Sequence, residues 1–108
     1  MRYLLMLCGN VDDEAIGTDI TEPCLAWGEE MTRRGMRANG MGLHAPESAT
    51  TVRVRGGKAL LTDGPFAETK EQIGGINILE CESREQAVEA AKSHPWAAIG
   101  TIEVREMR

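Results

Sequence analysis

Thr62 to Gly75, TDGPFAETKEQIGG, gathers the side chains best suited to hold or move a proton, with Asp63, Glu68, Lys70 and Glu71 in one short stretch. Carboxylates beside an ammonium group can work as a general acid and base, grip a polar ligand, or pair as salt bridges that hold a loop. Asp63-Gly64-Pro65 forces a bend, because it joins a backbone-bonding carboxylate, a residue free to take positive φ and a ring that fixes φ. Asp63 therefore has two compatible uses: one oxygen caps the Phe66 N–H while the other faces a ligand. Phe66 is the single phenylalanine of the chain, and one residue past the bend its ring is expected to fix the loop, from the core or against a ligand.

His44 lies between a helical stretch and the TTVRV strand, where an imidazole titrates near neutrality as acid or base, or rests at the surface as an ordinary loop side chain. Arg53 offers a planar fork to a carboxylate or phosphate, or to a neighbouring Glu. The catalytic candidates are thus Asp63 and His44, and the ligand-binding candidates are Arg53, Phe66, Glu68 and Lys70. His94, directly before Pro95, reads as a helix end. No Ser-His-Asp order, CxxC, HExxH or zinc cluster is present, so no metal and no cofactor is expected. Gly40 to Ala45 imitates the dinucleotide pattern G-x-G-x-x-A, but it follows a helix instead of joining a strand to one. Gly57-Lys58-Ala59 lacks both the upstream glycine and the Ser/Thr of a phosphate loop.

The elements that position these residues belong to a single domain, 1–108, too short for separate substrate and cofactor domains. A net charge of −5 and a pI near 5.0 argue against an electrostatic grip on nucleic acid or anionic lipid. Cys8, Cys24 and Cys81 are odd in number, widely spaced and set in apolar segments, which suits reduced core thiols. The apolar run of the opening MRYLLMLCGN is too short for a signal peptide or membrane span, so a soluble cytoplasmic protein is expected.

Tyr3 to Cys8 is apolar at every position, so both faces of this strand need cover and it is expected to be central. Gly9 to Ile20 is an acidic connection. Thr21 is placed to cap a helix from Glu22, with Cys24, Trp27 and Met31 facing the sheet, Arg33, Arg34 and Arg37 complementing its C-terminal dipole, and Asn39-Gly40 as its stop. Thr51 to Arg55 and Lys58 to Thr62 flank Gly56-Gly57 as a hairpin that delivers the Asp63 loop. Ile73 to Cys81 resumes as a strand. Ser83 and Gln86 form a capping box for a helix whose apolar stripe is Ala87, Val88 and Ala91, and Ile99 to Glu106 closes the chain as a strand.

That order gives an α+β fold of the split βαβ type, with an extra ribbon inserted before the third core strand. Two helices cover one face of the sheet, and the doubly apolar first strand calls for a second cover, which a partner subunit supplies in a homodimer.

DGPFAETKE followed by two glycines and an apolar strand resembles the DGPF branch of the YCII-related family. RYLLMLCG, TTVRVRGGKALLTDG, SREQAVEAA and IEVREM also resemble that family's pattern, and the resemblance covers nearly the whole chain apart from Asn10 to Ile20. The resemblance implies a ferredoxin-like βαββαβ fold, here with an inserted hairpin, pairing into a dimeric α+β barrel. Its activity in this branch is largely unknown. The wider family is credited with a recurrent histidine and aspartate suspected of catalysis. In other branches that histidine lies on the first helix, where this chain has Trp27, Glu30 and Met31, so it is not carried onto His44, and the aspartate maps only loosely onto Asp63.

Two functions fit these residues. One is a small cofactor-independent enzyme using acid–base chemistry on an organic metabolite, with Asp63 and His44 as proton carriers. The other is a non-catalytic ligand-binding or regulatory dimer, in keeping with the family's association with alternative sigma factors and stress. Asp63 and His44 within hydrogen-bond reach in one pocket favour the first; divergent side chains favour the second.

Overall fold

The computed structural model describes residues 1–9, 20–65 and 72–108. Phe66, Glu68, Lys70 and Glu71, and the acidic run between Asn10 and Asp19, lie outside the described residues. The described elements are β1 (Arg2–Cys8), α1 (Thr21–Arg33), β2 (Asn39–Gly42), β3 (Thr50–Arg55), β4 (Lys58–Asp63), β5 (Ile73–Glu80), α2 (Arg84–Lys92) and β6 (Thr101–Glu106). Single 3₁₀ turns occupy Pro46–Ser48 and Pro95–Ala98.

β1 is central, as its doubly apolar sequence predicts: it pairs antiparallel with β5 on one side and β6 on the other. β2 adds to the outer edge of β5, so the four-stranded sheet runs β2-β5-β1-β6. With the β3–β4 hairpin set aside, the order strand, helix, strand, strand, helix, strand on this antiparallel sheet is the expected ferredoxin-like α+β fold.

The second core strand lies where the sequence predicts a helix stop. Asn39-Gly40 does not end α1; it opens β2. The helix ends four residues earlier in a Schellman motif, where Gly35 takes φ 86° and its N–H bonds Thr32 O at 2.9 Å, while Met36 N–H bonds Met31 O at 3.0 Å. Met31 and Met36 are both buried, supplying the apolar contact that accompanies such a cap. At its other end, α1 includes Thr21, with Ile20 in the cap position.

One face of the sheet carries the core. Register places Tyr3, Leu5 and Leu79 on that face, and Trp27 and Met31 of α1 with Ala87, Ala90 and Ala91 of α2 close over them. Trp27 ties the helices together, its Nε1–H donating to Ala90 O at 3.0 Å and to Ser93 Oγ at 3.1 Å. The capping box of α2 is present: Gln86 N–H donates to Ser83 Oγ at 3.1 Å and the Gln86 side chain accepts from Glu82 N–H at 2.7 Å. Burial raises the Cys81 thiol above its ordinary range, so it stays protonated and behaves as a core side chain.

β3 and β4 form a separate two-stranded ribbon, turned at Gly56 and Gly57 with φ 57° and 78°, the double positive φ that a two-residue hairpin requires. Val52, Val54 and Leu61 share one face and are 61%, 58% and 71% exposed. The ribbon therefore extends away from the core. No described helix is long and apolar enough to cross a membrane.

Candidate functional site

On the helix-covered face, the register Gly40↔Asn77 and Gly42↔Gly75 puts three glycines and one asparagine at positions that would otherwise carry apolar side chains. Above them, α1 presents another small residue, Gly28. Among the described residues a layer of side chains is missing between helix and sheet, and a cavity of about 720 Å³ lies in its place. That volume lies within the range of small-molecule sites. A Cβ built on Gly28 or Gly42 meets nothing within 4 Å, so both positions open directly onto this space.

His94 and Trp96 form the end wall. His94 is 3% exposed, stacked edge-on against Trp27 with ring centroids 4.5 Å apart. Its Nδ1 accepts the Trp96 N–H at 3.0 Å, which caps the Pro95–Ala98 turn. The proton of the neutral ring must then reside on Nε2, and Nε2 lies 3.1 Å from Asn77 Oδ1. That bond in turn fixes the asparagine, since the reverse orientation would set an amide N–H against the imidazole N–H. Asn77 Nδ2 is left over Gly40, facing the cavity, with no partner among the described residues. Burial pushes the His94 imidazole down to about 4, so it is neutral at physiological pH.

Trp96 is held just as firmly. Its Nε1–H donates to Cys8 O at 2.9 Å, and its indole lies across Gly100, where a Cβ would also approach Cys8 O to 2.8 Å. Of the charged residues, Glu29 and Arg33 line the cavity. Arg33 and Arg34 both bond Glu30, with Arg34 Nε 3.0 Å from Oε1, and Arg33 first and Arg34 second hold that carboxyl below its ordinary range. Among the described residues no group of three or more His, Cys, Asp or Glu side chains gathers as a metal site.

The sequence candidates lie elsewhere. His44 is exposed in the loop after β2, and Asp63 is exposed at the end of β4, opposite Thr50. No hydrogen bond joins their side chains, and neither lines the cavity. Arg53 is on the ribbon opposite Leu60. Phe66, Glu68 and Lys70 are outside the described residues. His94, read from sequence as a helix end, does cap a turn, but it is also buried and bonded across the fold to Asn77. One signal for this site is visible in the sequence: Asn77 interrupts the inward-facing alternation Gly75, Asn77, Leu79 with a polar group, which needs a partner when buried.

An uncharacterised protein of Rhizobium meliloti (strain 1021) is 39% identical to this chain over 62 residues, which make up 56% of the chain and 50% of that relative. The chain thus spans about half the length of the curated relative it matches. The YCII-related domain matches throughout residues 1–108, and the chain belongs to that family.

Proposed function

We propose that this protein is a non-catalytic binding module for a small, mostly apolar molecule, held in the cavity beneath α1. The glycine-floored cavity carries this reading. Asn77 fills the place of a side chain at Gly40, and Met41 O lies 3.2 Å from a Cβ on Gly75, but Gly28 and Gly42 face open space that a bound molecule can occupy. The chemistry of the walls is that of binding. His94 has both ring nitrogens engaged and takes a proton only near pH 4, so it carries none at neutral pH. An acid–base reaction at Asp63 and His44 needs both beside one ligand, and they do not meet on this wall.

The module works as a homodimer. Leu4, Met6, Ile76 and Ile78 point to the sheet face opposite the helices, where they are half-buried. The molecule measures 18 Å along its shortest axis, room for one helix layer on one sheet. A second copy, sheet against sheet, buries this stripe on both chains and forms the α+β barrel that the resemblance implies. A soluble cytoplasmic location agrees with the reduced thiols and acidic surface.

The test is binding of the neutral fluorescent probe N-phenyl-1-naphthylamine. The wild type is expected to bind one probe per chain, and Gly28→Leu, which fills the cavity while favouring the helix, is expected to abolish binding without lowering the melting temperature. Failure of the wild type to bind, or equal binding by Gly28→Leu, overturns the proposal.

A further inference from the structure

We propose that Asn77 is the residue that selects the ligand, its side-chain N–H groups donating to the carbonyl oxygen of an uncharged, mostly apolar molecule. This rests on the binding function proposed above and assigns the chemical class of what is bound.

Three observations converge. The first is orientation: because Trp96 N–H occupies His94 Nδ1, Nε2 is a donor and holds Asn77 Oδ1 at 3.1 Å, so the opposite end of the amide is turned away from His94. His94 is a positioning residue here, gripped between Trp27 and the Pro95–Ala98 turn, and the amide it aims does not rotate freely. The second is space. Nδ2 lies over Gly40, where any side chain would collide with it, so the strand opposite has been kept bare at the point where the amide enters the cavity. The third is unsatisfied capacity: Nδ2 has no partner among the described residues, yet no side-chain nitrogen or oxygen there is both sealed and unbonded. The amide therefore opens onto the cavity with two donors to offer.

A donor that cannot accept selects ligands carrying an acceptor. A carbonyl oxygen fits both N–H groups, whereas a hydroxyl or amine would bring a further donor that the Asn77 N–H groups cannot satisfy. The charge of the ligand follows from the wall as well. The imidazole beside Asn77 is neutral, Glu29 lines the same cavity and Arg33 is paired with Glu30, so among the described residues a buried carboxylate would meet no unpaired counter-charge there. An uncharged ketone or ester satisfies the amide without that penalty.

Matched probes separate this proposal from the general binding function. 2-Acetylnaphthalene, 2-ethylnaphthalene and 2-naphthoate share a ring system and differ in whether they present a neutral acceptor, none, or a charged one. The ketone is expected to bind roughly tenfold more tightly than the hydrocarbon, the scale of one buried neutral hydrogen bond, and to shift the Asn77 side-chain amide resonances in ¹⁵N–¹H spectra. In Asn77→Asp the acceptor for His94 remains and the donors are gone, so the preference for the ketone over the hydrocarbon should vanish. Equal binding of ketone and hydrocarbon by the wild type, or a preference that survives in Asn77→Asp, overturns the role of Asn77 and leaves the cavity function standing. Tighter binding of 2-naphthoate than of the ketone overturns the uncharged class. If none of the three binds the wild type, the selecting role and the binding function fall together.

Discussion

The side-chain amide of Asn77 occupies the space that a Cβ on Gly40 would need, with Asn77 Cγ 3.1 Å and Ile76 O 3.2 Å from that point. Two strands are thereby matched at a single register position: a polar side chain on β5 lies across a bare residue on β2. Gly40→Ala is expected to displace Asn77, break its bond to His94 and lower stability by about 1–3 kcal/mol, the scale of overpacking at a close contact. Gly42→Ala, two residues along the same strand, meets nothing within 4 Å and should be neutral or slightly stabilising. Urea unfolding of the two variants checks this contrast, and equal effects would show that the close approach to Asn77 is not what constrains Gly40.

His94 makes stability depend on pH in a defined direction. Its folded-state value is pushed by burial from 6.5 to about 4, so between these limits the unfolded chain binds a proton that the folded chain does not. Stability from this group is full above about pH 6.5, is lost as pH falls towards 4, and the loss levels off below that. The shift corresponds to as much as about 3 kcal/mol. Urea midpoints for wild type and His94→Gln across this window isolate it from the carboxylates, and the variant should show the shallower decline. Parallel curves would mean that His94 titrates normally.

The apolar sheet face opposite the helices predicts an assembly. Met6 is on β1 with its side chain on the face opposite the helices, at the centre of the stripe formed with Leu4, Ile76 and Ile78. Light scattering after size exclusion should give a dimer for the wild type. Met6→Lys should give a folded monomer, because a charge at the centre of an apolar interface has no partner. A wild type that is a well-folded monomer at micromolar concentration removes the barrel.

The sequence discloses most of the frame because local patterns specify it. Tyr3 to Cys8 is apolar at every position and β1 turns out to be central; Trp27 and Met31 at helical spacing are buried; Gly56-Gly57 turns the hairpin; Ser83 and Gln86 cap α2. β2 is hidden for a physical reason. Asn-Gly-Met-Gly has no alternation and low intrinsic strand preference, and it becomes a strand because β5 offers it a free edge. The cavity is hidden for a related reason, since it consists of side chains that are absent from separate segments, and no short window shows that Gly28, Gly42 and Gly75 face one another. His94 reads as a helix end because its partner Asn77 is 17 residues away in sequence.

The proton-carrier reading of Asp63 and His44 can be separated from binding in the cavity. Asp63 ends β4, and the bend after it is held by other groups: Gly64 N–H donates to Ala49 O at 2.7 Å, and the Thr51 hydroxyl donates to Gly64 O at 2.8 Å. Asparagine at this position keeps an acceptor oxygen and loses only the charge, so Asp63→Asn should change stability by less than about 0.5 kcal/mol, as for an exposed surface substitution. His44 is exposed, and His44→Asn should be equally mild. Neither change touches the glycine floor or the Asn77 amide, so affinity for N-phenyl-1-naphthylamine and the preference for the ketone should match the wild type in both variants. The contrast with Gly28→Leu and Asn77→Asp is therefore the decisive comparison. Weakened binding in Asp63→Asn or His44→Asn at unchanged melting temperature would bring the Asp63 loop into the ligand site, and the acid–base chemistry that its carboxylate permits would then take precedence over binding alone.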